Sequence, residues 1–161
     1  MALKKPLVIT SGEIEQLQPG DDLNVPIAGA IEISLTNDEA TPIVIGAPVY
    51  SDANGGVKKA RANALGTSIV VGIVNDDPSI AAATSGSIAT SGVMTATTTQ
   101  WDAVTGQVGG LTFGTRYYLD AATAGKLTIT APTTAGNQVV EIGIAMSTID
   151  MKIAIQKRIK L

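Results

Sequence analysis

Cysteine and histidine are both missing from this chain of 161 residues. Without cysteine there is no disulfide, no thiol nucleophile and no thiolate metal site. Without histidine there is no imidazole base, no Ser-His-Asp triad and none of the common zinc sites. Aromatic side chains are scarce as well, with one Trp, one Phe and three Tyr, so stacking on bases or sugars has few positions from which to work. No stretch approaches the eighteen or so apolar residues of a membrane helix. The opening "MALKKPLVITSGEIEQ" has a basic start but meets Glu13 before any apolar run of signal length, so it does not read as a secretion signal. A soluble protein with no membrane partner, used without processing, is expected. Net charge is −3 and the cations are scattered apart from Lys4-Lys5, Lys58-Lys59-Arg61 and the last ten positions. That leaves no footprint for a phosphate backbone, and no nucleic-acid partner is expected.

What is present is rich in Ala, Val, Ile and Thr, a composition that suits strands. The length allows one full core or two small lobes. One phrase is written twice: "GAPVYSDANGG" at 46–56 returns as "GTRYYLDAATAG" at 114–125. Each copy reads as strand, turn, return strand and late apolar strand, and the copies align Gly46 with Gly114, Tyr50 with Tyr118, Asp52 with Asp120, Val57 with Leu127 and Gly72 with Gly143. Two copies are too few for a solenoid. They suit two related halves of one β-structure or two packed lobes, since each must make the same turn and cover the same core face. The fold expected is all-β: a small β-sandwich or barrel-like module of two related strand units, with one short helix and an extended N-terminal arm.

Residues 1–40 form either that arm or the first strands, with "PGDD" as a turn and a strand at "AIEISLTN", where Ile31 and Ile33 alternate with polar residues. Residues 41–161 form the β-rich domain, with the repeat over 46–74 and 114–145. Between the copies, "IAAATSGSIATSGVMTATTT" offers short strands around "TSG" turns. "TTTQWDAVTGQVGG" is the one helical segment, with Thr99 as its cap, Asp102 as reciprocal partner, Gly106 or Gly109 as its end and Trp101 as a core anchor. The C-terminal "KIAIQKRIKL" reads as a last strand whose Ile153, Ile155 and Ile159 alternate with a solvated basic face.

Chemistry has few places to reside. The adjacent acids Asp21-Asp22, Asp38-Glu39 and Asp76-Asp77 lie beside Gly, Asn or Pro, as turns require, because Asp and Asn bond their own backbone there. Neighbours in a strand also point to opposite faces, so adjacency makes no catalytic pair. "SDANGG" offers Asp52 and Asn54 but lacks the later carboxylate of the twelve-residue calcium loop. "TAGKLT" has Asp120 where a phosphate loop needs its first glycine. Arg116, Tyr117 and Tyr118 form a candidate recognition patch, although only one of two neighbouring tyrosines in a strand can face the core. No catalytic residue, metal site or cofactor is expected, and a chain without concentrated chemistry suits an assembly component that is not an enzyme.

The order "GAPVYSDANGGVKKA … IVVGIVND", "SGVMTA", "WDAV", "GLTFGTRYYLDAATAGKLTITAPTTAGNQVVEIGIAMST" resembles small structural proteins of tailed bacteriophages, those that decorate the capsid or form the base of head fibers. The likeness covers about residues 42–160 and rests on Gly114 to Tyr118, Gly125 to Thr128 and Val139 to Ala145. Similar wording occurs in phage tail and receptor-binding fibers. The resemblance implies a β-rich homotrimer on the outer surface of the virion capsid, assembled in the host cytoplasm. Its partner would be the major capsid protein, whose subunit contacts it stabilises. On that basis the N-terminal residues Lys4, Lys5, Leu7 and Ile9 are candidate capsid contacts, pairing with a strand edge of the lattice. The alternative is a tail or head-fiber component that attaches to the host surface, for which Arg116, Tyr117 and Tyr118 are the natural contacts. Further readings are an enzyme whose distant carboxylates converge in a cleft, and an oligomeric β-protein of a host cell.

Overall fold

The structure, a computed structural model, describes residues 29–161 together with the paired backbone of two short strands upstream. Those two, β1 (Leu7–Thr10) and β2 (Glu13–Gln16), form an antiparallel hairpin in which Thr10 lies opposite Glu13. The "PGDD" turn and Asp21-Asp22 lie outside the described residues. Next come β3 (Ile31–Thr36), β4 (Ile43–Val44), β5 (Pro48–Ser51), β6 (Val57–Lys59), β7 (Val70–Val74), β8 (Ser79–Ile80) and β9 (Ser85–Thr95). After the helix α1 (Thr98–Thr105) follow β10 (Arg116–Leu119), β11 (Leu127–Thr128), β12 (Gln138–Val139), β13 (Glu141–Ala145), β14 (Asp150–Ile153) and β15 (Ile159–Lys160). The protein is all-β with one short helix.

The main sheet runs β11-β10-β13-β14-β9-β7-β5-β6, every neighbour antiparallel, with β3 alongside β9. Read from its two ends this order is a palindrome of the repeat: β5, β6 and β7 occupy in one half the places of β10, β11 and β13 in the other. The registers agree residue by residue. Val49 faces Gly72, and its equivalent Tyr117 faces Gly143; the ladder then slips between Val49 and Tyr50 and between Tyr117 and Tyr118. Val57 lies opposite Ser51, and Leu127 opposite Leu119. Such a bulge bends and twists its strand, and here it bends both halves at the same step.

Bending brings the sheet's ends together. The Gly125 amide donates to the Ala60 carbonyl (2.8 Å), Ala62 to Asp120 (2.9 Å) and Gln138 to Ala62 (2.7 Å), so residues following β6 are stitched to those around β10, β11 and β12. The result is a curled, nearly closed half-barrel around one core. Val49, Ile73, Ile88, Tyr117, Leu119, Ile142 and Met151 are fully buried there. α1 closes one side. Its Trp101 is fully buried and donates its indole N–H to the Ile149 carbonyl at 2.8 Å. A side chain at Gly46 (φ +84°) would meet the Trp101 ring at 3.2 Å, so this turn needs glycine both for its dihedral and for the ring's approach.

Three local expectations are corrected. The helix cap is Thr97, not Thr99: its hydroxyl accepts from the Gln100 amide (3.2 Å) and the Gln100 side chain accepts from the Thr97 amide (2.8 Å). Three consecutive threonines offer equivalent caps, and burial of Trp101 and Val104 on one face chooses among them. Asp102 instead accepts from the amides of Gly109 (3.0 Å) and Gly110 (2.7 Å), fastening the chain beyond the helix end at Gly106.

The central segment is one eleven-residue strand, β9, and not short strands around two turns. The second "TSG" lies within it, where Ile31 pairs with Ser91 and Glu32 with Ala89, leaving Thr90 as a bulge; Gly92 follows at φ +94°. A side chain there would strike the Gly29 carbonyl at 2.5 Å. Glycine thus marks a bulge and a close backbone approach.

The C-terminal run is likewise not one strand. β14 ends at Ile153, residues 154–158 cross irregularly, and β15 pairs with β12, leaving Ile159 64% exposed.

The two halves predict matched sensitivities. A Cβ at Gly72 would approach the Ala89 carbonyl of β9 to 2.6 Å, and one at Gly143 would press on the Lys152 carbonyl of β14. Gly72→Ala and Gly143→Ala should each destabilise by about 2 kcal/mol through overpacking against backbone. Urea unfolding measures this, and a neutral result at either position would mean that the two halves are not packed alike.

Candidate functional site

Acidic side chains were the first candidates for chemistry, and among the described residues Asp52, Asp120, Asp76, Asp77 and Glu39 fasten turns or strands. The Asp52 carboxylate accepts from the Asn54 amide (2.9 Å) and pairs with the Lys58 ammonium (3.0 Å). Hydrogen bonding from Lys58 is the main cause that holds Asp52 below the usual carboxylate range, and the same bond raises Lys58. Asp120, its equivalent in the second half, accepts from the amides of Ala122 and Thr123. Both aspartates open hairpin turns, as the repeat predicted. Asp76 accepts from the Ser87 amide (3.1 Å), Asp77 from the Gln100 side chain (2.6 Å), and Glu39 from the Lys59 amide (3.0 Å). Among the described residues no three acidic side chains gather as a metal site.

Gly125-Lys126 sits in a hairpin turn. The Lys126 ammonium donates to the Ala103 carbonyl in the last turn of α1, where a cation complements the helix dipole.

Arg116, Tyr117 and Tyr118 separate by strand alternation. Tyr117 is fully buried, with its hydroxyl donating to the Gln107 side chain and accepting from the Thr112 amide (2.9 Å). It is therefore withdrawn from the surface patch. Arg116 is exposed and holds Glu141 at 3.0 Å, and Tyr118 is half-buried. Of the N-terminal candidates, Lys4 and Lys5 lie outside the described residues; Leu7 and Ile9 belong to the backbone of β1, with side chains outside them.

Several surface features escaped the sequence pattern. On β3, Ile31 is 65% exposed and Ile33 43%, on a strand whose outer edge has no partner among the described residues. The chain's one phenylalanine, Phe113, is 75% exposed. It precedes Gly114, whose amide donates to Ala145, the neighbour of the half-exposed Met146. A groove of about 610 Å³ lies where Ile45, Ala96 and Ile149 meet the N-terminus of α1, and its polar rim is internally bonded through Asp77, Gln100 and Thr97. A second groove, of about 340 Å³, has a mixed polar and apolar lining and a cationic rim at Lys157 and Arg158. Alternation in the C-terminal run hid this one, because the chain leaves the strand at Ile153 and crosses the surface before pairing again.

No protein-family model matches the sequence, and no curated protein matches it.

One carboxylate gives a pH test. Asp150 accepts from the Thr95 hydroxyl (2.6 Å) and the Ser147 hydroxyl (2.8 Å), and these bonds, Thr95 first, lower its pKa against the opposing effect of burial. A folded pKa below the unfolded one, about 3.9, means the group stabilises the fold above that value and loses this contribution as pH falls through the folded value. In Asp150→Asn the loss of stability from about pH 5 to about pH 3 should be smaller than in the wild type. Urea midpoints across that range measure it, and identical pH slopes would remove Asp150 from the acid response.

Proposed function

We propose that this protein is a structural component of a phage virion that binds the outer surface of the capsid and stabilises contacts between major capsid subunits, acting as a homotrimer. The observation that carries this reading is the fate of the phrases on which the sequence resemblance rests. Gly114 to Tyr118, Gly125 to Thr128 and Val139 to Ala145 hold the strands of one unit, β10 with β11 and β13, with the turns before β10 and β11 and the end of β12, and that unit's ladder, bulge and close glycine recur in the first half. The wording on which the resemblance rests is thus wording that belongs to the strands and turns of this half-barrel.

Two further features support the use of such a scaffold as a binding body. β3 presents an edge with exposed isoleucines, which favours pairing with, or burial against, another chain. Exposed Phe113 gives a second apolar contact, of the kind enriched at interface centres. A trimer would present each surface three times, so weak individual contacts to a lattice would gain avidity.

Purified protein should co-sediment with capsids stripped of accessory proteins and saturate at a copy number commensurate with the lattice, while its solution mass is that of a trimer. Deleting residues 1–20 from a variant that still folds should weaken this binding if the N-terminal segment contacts the lattice. Absence of binding to mature and immature shells alike would overturn the capsid assignment in favour of attachment through a tail or fiber, tested by binding to host cells.

A further inference from the structure

Cations are unevenly placed in this acidic chain. Four of its eleven Lys and Arg residues fall in the last ten positions, and none of its fourteen Asp and Glu residues does. That segment is fastened to the body. The Ala154 amide donates to Ile142 (3.0 Å), Gln156 to Glu141 (2.9 Å) and Leu161 to Asn137 (3.0 Å), and β15 pairs with β12. Between those ties it crosses the 340 Å³ groove, whose lining mixes Val70 and Ile155 with the polar Ser68 and Gln156 and whose rim is Lys157 and Arg158. Neither rim cation has an ion-pair partner among the described residues, whereas Lys58 and Arg116 each hold a carboxylate. Ile69 is 52% exposed at the mouth.

We propose that this groove is a docking site for an extended acidic segment of the partner protein, one that seats an apolar side chain against Ile69 and sets carboxylates against Lys157 and Arg158. The inference rests on the capsid reading and names the surface and the chemistry by which the chain holds the lattice. Charge complementarity selects the occupant: a cationic rim on a protein of net charge −3 gives local attraction without a global field. The exposed Ile69 beside that rim favours an amino-acid side chain over a phosphate backbone, which would leave the isoleucine uncovered.

The test compares wild type, Lys157→Glu/Arg158→Glu and Ile69→Ser in capsid co-sedimentation at low and high salt, with thermal midpoints confirming that each variant folds. Charge reversal should weaken capsid binding by about tenfold or more and flatten its salt dependence, as loss of close charge pairs does. Ile69→Ser should weaken it several-fold without changing the salt slope. If wild type binds and both folded variants bind equally well, the groove is not the docking site although the capsid reading stands; if wild type does not bind, both fall. Tight binding of a single-stranded DNA oligonucleotide by wild type, lost on charge reversal, would overturn the acidic-peptide assignment in favour of a nucleic acid.

Discussion

The seam between β9 and β14 is the constraint on which the rest of the structure depends. Four residues, Asp150–Ile153, pair antiparallel with Gly92–Thr95, and this short ladder sets the two three-strand units back to back. An antiparallel join between equivalent strands relates the halves by an approximate twofold axis, so any bend in one half is matched in the other. The matched bulges beside Gly72 and Gly143 then curl the sheet from both sides. Its free ends meet at Ala60, Ala62, Asp120 and Gly125, and the unpaired edges that an open sheet would expose are tied to each other. The seam is also held from outside: Asp150 bonds Thr95 across it, and the Ile149 carbonyl receives the Trp101 indole N–H. Trp101 therefore links the helix to the point where the halves join, which is why a chain so poor in aromatics keeps this one fully buried.

The repeat made much of this legible. Strand, turn and return strand in each copy follow from alternation and from Asp-led turns, and these are local properties that a sequence carries openly. Burial of Trp101 and the helix stop at Gly106 follow from equally local rules. What escaped was whatever depended on a partner strand. "TSG" at 90–92 has turn chemistry, yet β3 and β14 pair successively along β9 and hold it as one strand, so the same residues become a bulge. Threonines 97 to 99 cap equally well until the core fixes the phase of Trp101. Alternation in "KIAIQKRIKL" promises a strand, but after Ile153 the backbone bonds irregularly to Ile142 and Glu141, and the isoleucines part company. Of the candidate surface residues, Tyr117 was lost for the same reason: which of two adjacent tyrosines faces inward is set by the register against Gly143.

Duplication has a consequence for binding. A body with an approximate twofold axis offers equivalent surfaces in pairs, which leaves a single docking direction unspecified. Ile69 and Val140 are themselves equivalent residues, each three positions before the close glycine of its unit, and the basic groove lies between them. Here the two halves meet across the closed side of the barrel. The segment that crosses there breaks the equivalence. It brings Lys157 and Arg158 to one groove, while the corresponding stretch after β7, residues 75–115, has no lysine or arginine; the cations of the first half, Lys58, Lys59 and Arg61, lie on and just after β6. An otherwise balanced scaffold thereby acquires a cationic rim at this groove. Against an acidic partner, an orientation that faces this groove sets carboxylates against Lys157 and Arg158, and one that turns it away would lose those charge pairs. The C-terminal segment is in this sense the part of the fold that gives a near-symmetric body a direction.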